Sequence, residues 1–262
     1  MSAAEHEVVL VGVGEMGGVF ARAFLRHGRS VRPVRRGDDL ATMAERVPGP
    51  ELVLVTVAED DLDAVLGSMP AGWAARLLLV QNELLPPIWE GHAIAHPTVA
   101  VVWFEKKPGR DVRVILSSPV GGPCRDLVVE ALGAIGIPAH AVDETTLRSE
   151  LVRKSLYVLT TNVAGLDTRG TVGGLWEAHR ELALAVAGEI LDIQEALLGH
   201  AVDRAGLVAG MAEAFAADPD HGTTGRSAPA RLARALRHAA EHEIAVPVLA
   251  DLAARHGLAP AS

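Results

Sequence analysis

Apolar positions in the first 142 residues fall into short, near-continuous runs, separated by stretches in which apolar residues recur at helical spacing. The runs are EVVLVGV from Glu7, SVRPVR from Ser30, ELVLVTV from Glu51, RLLLVQN from Arg76, TVAVVWF from Thr98 and RVILSS from Arg113. Between them the spacing predicts helices over 16–27, 40–46 and 60–66. Runs that are apolar at every position, not at alternate ones, belong to parallel strands buried on both faces. The alternation therefore predicts an α/β fold with a doubly wound parallel sheet of Rossmann type.

The pattern changes after Asp143. From ETTLRSELVRKSLYVLTTNVAGL, residues 144–166, onward, Ala, Leu, Glu and Arg recur at helical spacing and no strand run appears. DPDHGTTGRSAP, residues 218–229, interrupts this region with loop chemistry. The expectation is a first domain over 1–142 and an all-helical second domain over 143–262.

The first run ends in GVGEMG and passes at once into helical spacing. Gly12 suits the tight turn from strand to helix, Gly14 a close approach of backbone to a pyrophosphate, and Gly17 close packing of helix on strand. Glu15 and Met16 then open the helix whose positive N-terminus faces the phosphates. An acidic residue ending the second strand would mark NAD; this chain has Arg35 and Arg36 there, and guanidinium groups suit the 2′-phosphate of NADP. NADP is the expected cofactor, with Arg36 the favoured contact, while Asp38 and Asp39 read as the cap of the next helix.

Composition narrows the partners. The 262 residues carry 24 basic and 33 acidic side chains, a net charge of −9, which is the wrong sign for a nucleic-acid binder. Hydrophobic residues make up 49% and aromatic residues 3%, so Leu, Val and Ala must fill the core. The single cysteine, Cys124, reads as a small buried hydrophobe and excludes an internal disulfide. The acidic N-terminus has no basic leader, and its apolar run is too short to span a bilayer. A cytoplasmic protein without a membrane partner is expected.

Hydride transfer to a carbonyl needs a proton donor beside the oxygen and polar groups that orient the substrate. RKSLYVLTTNVAGL at the domain junction places Lys154, Thr161 and Asn162 on one helical face, with Val158 between them. A solvated polar edge explains the same stripe.

These segments together resemble the ketopantoate reductase family, within the larger 6-phosphogluconate dehydrogenase-like group. The resemblance is carried by GVGEMG, VRR after the second strand, LLLVQNE near residue 82, SELVRKSLYVLTTNVAGL at the junction, and GRSAPARLARALRHAAEHEIAVP near the C-terminus. It implies a Rossmann domain followed by a helical domain that binds substrate and builds a homodimer. It further implies that Lys154 is the general acid, that Asn82 contacts cofactor and substrate, and that Asn162 holds the substrate, a small carbonyl acid or ketone. Four positions depart from the family pattern: Val158 replaces an asparagine, Ala58 or Glu59 a lysine, Ser227 or Pro229 a glutamate, and Glu83 a glycine. These losses strip polar groups from the substrate side while sparing the cofactor side, and discrimination of a substrate hydroxyl depends on such groups.

Two further readings share the glycine loop: a β-hydroxyacid dehydrogenase or imine reductase, and an NADP-binding sensor without catalysis. HAAEH at 238–242 matches a zinc-helix pattern but is followed only by Glu243 and Asp251 as acidic ligands, so a surface helix is expected. His179 reads as structural, and FEKKPGR at 104–110 as a solvated turn.

Overall fold

The computed structural model of the chain describes residues 6–258; residues 1–5, on which the reading of the N-terminus partly rests, lie outside it. Two compact units divide it, Met1–Glu150 and Leu151–Ser262. Among the described residues no helix is long and apolar enough to cross a membrane.

The first unit opens with β1 (Glu7–Val11), α1 (Glu15–Arg26), β2 (Ser30–Val34), α2 (Leu40–Arg46) and β3 (Leu52–Val55). It continues through α3 (Glu59–Gly67), α4 (Ala71–Ala74), β4 (Leu77–Leu79), α5 (Pro86–Glu90) and β5 (Thr98–Ala100). β6 (Phe104–Glu105), β7 (Arg113–Val114), β8 (Ser118–Gly121), α6 (Arg125–Gly133) and β9 (Ala139–Ala141) complete it. Seven strands form one sheet in the order β2-β1-β3-β4-β5-β8-β9, and β6 with β7 forms a separate pair. The sheet is parallel except where β5 meets β8.

Burial explains the near-continuous apolar runs. Val8 and Leu10 of β1 point to one face, where Phe20 and Phe24 of α1 and Val128 and Leu132 of α6 cover them. Val9 and Val11 point to the opposite face and are equally buried. β2 lies at the edge, which is where a strand tolerates Pro33. Val34 accepts the Gly12 N–H at 3.2 Å, so the neighbouring Pro33 turns its donorless nitrogen to the open side.

The expected helices begin and end within one residue of the observed α1, α2 and α3. The expected strands after β4 do not survive intact. TVAVVWF forms only the three residues of β5, then leaves the sheet, and its last residue starts the β6–β7 pair; RVILSS is split between β7 and β8. The run from Val101 to Phe104 stays buried throughout, so its hydropathy carries no mark of the bend. Trp103 N–H donates to Ser118 Oγ at 3.0 Å, and Trp103 O accepts from Ile115 and Leu116. With no crossover helix between β5 and β8, the chain returns antiparallel. α6 and β9 are further elements beyond the expected runs.

The second unit is helical: α7 (Glu144–Thr168), which begins in the first unit, then α8 (Val172–Ala178), α9 (Arg180–Leu198), α10 (Arg204–Ala217), α11 (Ala228–Glu241) and α12 (Pro247–Arg255). The loop expected at 218–229 separates α10 from α11. Val186, Ile190, Met211, Phe215, Leu232 and Leu249 are among its fully buried residues. Buried Glu189 accepts the N–H groups of Val248 and Leu249 at 2.8 and 2.9 Å, capping α12 from another helix. His238 pairs with Glu241 on its own helix at 3.1 Å.

Arg204 bonds both Asp192, at 2.6 Å, and Glu195, whose other donor is the N–H of Val202 at 2.9 Å. The Arg204 guanidinium, with help from that N–H, holds the Glu195 carboxyl below its usual range. A carboxyl lowered by folding stabilises the fold above its unfolded pKa of about 4.3, and the contribution fades as pH falls through the folded value. Arg204→Ala is expected to lower the urea midpoint at neutral pH while leaving it close to the parent's in strong acid. Urea titrations at the two extremes measure this.

Cys124 is half-buried, not wholly buried as expected, and its N–H donates to Thr98 Oγ1 at 3.0 Å. Burial pushes its thiol up from the ordinary value. Alkylation of the native protein at neutral pH should therefore run well below that of the same cysteine in urea, measured by mass spectrometry against time.

Candidate functional site

Three glycines shape the turn from β1 into α1, each in a different way. Gly12 has φ +96°, a conformation that L side chains rarely adopt, and a Cβ there would also stand 3.1 Å from the backbone of Thr56. Gly17 is buried, and a Cβ on it would lie 2.4 Å from Gly12 O and 2.9 Å from Thr56 Oγ1. Helix α1 thus begins in backbone contact with the strand end. Gly14 is the reverse case: it is exposed, with nothing within 4 Å of where its Cβ would be.

Gly14 is also the N-cap of α1 and offers no side-chain acceptor to the helix. The first turn of this 12-residue helix therefore has no side-chain cap, and at its positive end the backbone of Gly14 faces open space. That is the donor set and the clearance that a phosphate or pyrophosphate needs. The residues fit a dinucleotide.

The adjoining strand ends are braced by polar side chains. Thr56, just past β3, donates to Gly12 O at 2.6 Å and locks the glycine turn. Buried Gln81, just past β4, donates to the carbonyls of Val55 and Val57 at 3.0 and 3.3 Å and accepts from Val80 N–H at 3.0 Å. Glu59, in the first turn of α3, accepts the backbone N–H of Asn82 at 2.9 Å. A cavity of about 100 Å³ lies among these groups, lined by Met16, Thr56, Glu59, Gln81, Asn82 and Val102 with their neighbours. It opens beyond the carboxyl ends of the strands where the order reverses between β1 and β3, the position at which open α/β sheets bind ligands.

Past β2 the two arginines diverge. Arg36 is exposed and bonds Asp61 of α3 at 2.8 Å. Arg35 lines an open groove of about 580 Å³ together with Arg32, Asp38, Asp39, Thr42 and Arg46. Asp39 caps α2, accepting from Thr42 N at 2.8 Å and Thr42 Oγ1 at 2.7 Å, and these bonds hold its carboxyl below the ordinary value. Asp38 closes the preceding turn by accepting Arg35 N–H at 2.8 Å. The capping role thus belongs to Asp39 alone.

In the second unit Lys154 is buried on α7, with Nζ 5.6 Å from the centre of the Tyr157 ring. The polar stripe is therefore not a solvated edge at this position. Val158 and Thr161 are buried on the same helix, and Thr161 spends its hydroxyl on the carbonyls of Tyr157 and Val158, at 2.8 and 3.1 Å. Asn162 accepts from Arg231 of α11 at 2.7 Å and donates to Thr161 Oγ1 at 3.3 Å. Lys154 and Asn162 are about 12 Å apart along the axis, two turns of helix.

The fold has parallels among solved structures. 2-Dehydropantoate 2-reductase from Methylococcus capsulatus matches with a TM-score of 0.68 at 14% identity, covering 96% of each chain. The ternary structure of D-mandelate dehydrogenase with NADH and anilino(oxo)acetate matches with 0.66 at 14% identity, over 96% of this chain and 98% of that one. The dimeric ketopantoate reductase from Staphylococcus aureus gives 0.62 at 17% identity, over 96% and 98%. The chain has the ketopantoate reductase fold. No protein-family profile matches it, and no curated protein does.

Sequence patterns pointed to the glycines, the arginines, Asn82, Lys154 and Asn162, but not to the groups that hold them. Thr56 and Gln81 are each the first or second polar residue after a buried strand, a position that marks a ligand-facing sheet end. Arg231 carries no such mark, because its link to Asn162 crosses 69 residues.

The glycine geometry makes a stability prediction. Gly17→Ala should destabilise the protein by about 1–3 kcal/mol or more, because backbone and not a flexible side chain must yield. Gly14→Ala, which meets open space, should cost less than about 1 kcal/mol. Urea denaturation of both variants compares them directly.

Proposed function

We propose that the chain is an NADPH-dependent reductase of a small 2-oxoacid or related ketone. The observation that carries this reading is the open Gly14 at an uncapped α1, set by the Gly12–Gly17 contact at the strand-order reversal. Likeness of fold to a ketopantoate reductase and to an NADH-bound D-mandelate dehydrogenase supports it as analogy. In this reading residues 1–142 bind the dinucleotide and residues 143–262 supply substrate contacts and a homodimer interface.

The nicotinamide, when bound, supplies hydride to the carbonyl carbon. Gly12, Gly14, Glu15, Met16 and Gly17 present backbone to the pyrophosphate, and Arg35 and Arg36 favour a 2′-phosphate. Lys154 Nζ donates a proton to the carbonyl oxygen as negative charge develops there. Asn82, whose backbone Glu59 holds, and Asn162, whose carbonyl oxygen Arg231 holds, orient the reactants. Val158 leaves an apolar surface where the family pattern has an amide. A 2-oxoacid with an apolar substituent suits this better than ketopantoate, whose hydroxyl would lack a partner.

Titration with NADPH and NADH, followed by nicotinamide fluorescence, tests the coenzyme; tighter NADPH binding is expected, and an NADH preference overturns the NADP assignment. Loss of absorbance at the nicotinamide band with benzoylformate, other apolar 2-oxoacids or ketopantoate then tests the reaction. Lys154→Ala should lower kcat by about 100-fold or more while leaving coenzyme binding intact. Coenzyme binding without turnover on any 2-oxoacid would favour a nucleotide sensor instead. Sedimentation equilibrium tests the homodimer.

A further inference from the structure

The segment expected to be a solvated turn, residues 104–110, does something more specific. Its first residue, Phe104, is buried, and its ring packs against Phe20 of α1 with centroids 6.0 Å apart. The β6–β7 pair is thereby anchored to the helix that carries the glycine turn. From this root Lys106 reaches the helix start: its Nζ lies 3.2 Å from Glu15 Oε2, on the first residue of α1.

Lys106 is held for that position. Its ammonium also donates to the carbonyls of Lys107 and Arg110, at 2.9 and 2.5 Å, within its own loop. Two donors are thus fixed by backbone, and the third is directed at Glu15. An ammonium pre-set by two carbonyls loses little freedom when it changes its third partner. Glu15 is itself an anion at the positive end of α1, beside the open space at Gly14. The carboxylate occupies ground where a phosphate would be the stronger partner.

Charge gives this lysine a task. The chain carries a net charge of −9, and three acidic residues, Glu59, Asp60 and Asp61, open α3 near the same strand ends. An anionic dinucleotide approaching this surface needs a local cation at its phosphates.

We propose that Lys106 is a pyrophosphate-binding residue, carried to the N-terminus of α1 by the β6–β7 hairpin and held by Glu15 until the dinucleotide takes its place. This rests on the dinucleotide-binding reading above. The contact is to the pyrophosphate, which NADPH and NADH share, and not to the 2′-phosphate.

The test is fluorescence titration of the full-length parent, Lys106→Met and Glu15→Gln with NADPH and with NADH, at low and at high salt. Lys106→Met should weaken both coenzymes about equally, by about tenfold, and flatten the salt dependence. Glu15→Gln, which releases the ammonium, should tighten both by about two- to fivefold. Thermal unfolding of each variant separates loss of binding from loss of fold, and Glu15→Gln tests the idea even where Lys106→Met unfolds. Parent affinity and salt dependence in Lys106→Met would overturn the proposal, as would weakening confined to NADPH. Failure of the parent to bind either coenzyme would instead remove the dinucleotide reading on which the proposal stands.

Discussion

At Gly17 the first helix meets the strand ends with no side chain between them, and the distance from a notional Cβ to Gly12 O, 2.4 Å, shows how little room there is. That approach sets the height of the helix N-terminus above the sheet. Pairing of β1 with β3 brings Thr56 to Gly12 O, and Gly12 turns through a positive φ. The exposed face of Gly14 follows: with both neighbours committed to packing, the middle glycine is the one left open. The open, uncapped start of α1 arises here from the packing of backbone, before any charged side chain is considered.

The strand ends respond to the same constraint. Buried parallel strands stop where their backbone can no longer pair, and the last carbonyls need donors from elsewhere. Gln81 supplies them to Val55 and Val57, and Glu59 takes the N–H of Asn82. A lysine in place of Glu59 would lack the acceptor that Asn82 N–H now finds. The side chain at this position is thus coupled to how Asn82 is held.

Much of the fold was legible in the sequence because burial on both faces writes itself as continuous hydropathy, and because GVGEMG joins such a run to a helical period. The turn at Gly12 and the close packing at Gly17 were legible for the same reason, since each excludes a side chain in its own way. The region after β4 was less so. Val101–Phe104 is buried in a bend, and a strand of three residues such as β9 is too short to show a period. The candidate site divides likewise. Lys154 and Asn162 could be placed on one helix by counting, but Arg231 beside Asn162 and Lys106 beside Glu15 depend on tertiary contacts that spacing does not encode.

Pro33 has a bearing on how copies of this protein meet. A sheet edge with free N–H and C=O groups invites another strand, and through it amyloid-like growth or domain exchange. β2 is such an edge, but its outward register is interrupted by a residue with no hydrogen to give, flanked by Arg32, which is tied to Glu7 at 2.9 Å, and followed by the charged turn at Arg35 and Arg36. Strand addition is blocked on this side of the sheet. Self-association here must proceed by contact of side-chain surfaces, a mode that mutation can tune residue by residue without disturbing the ladder.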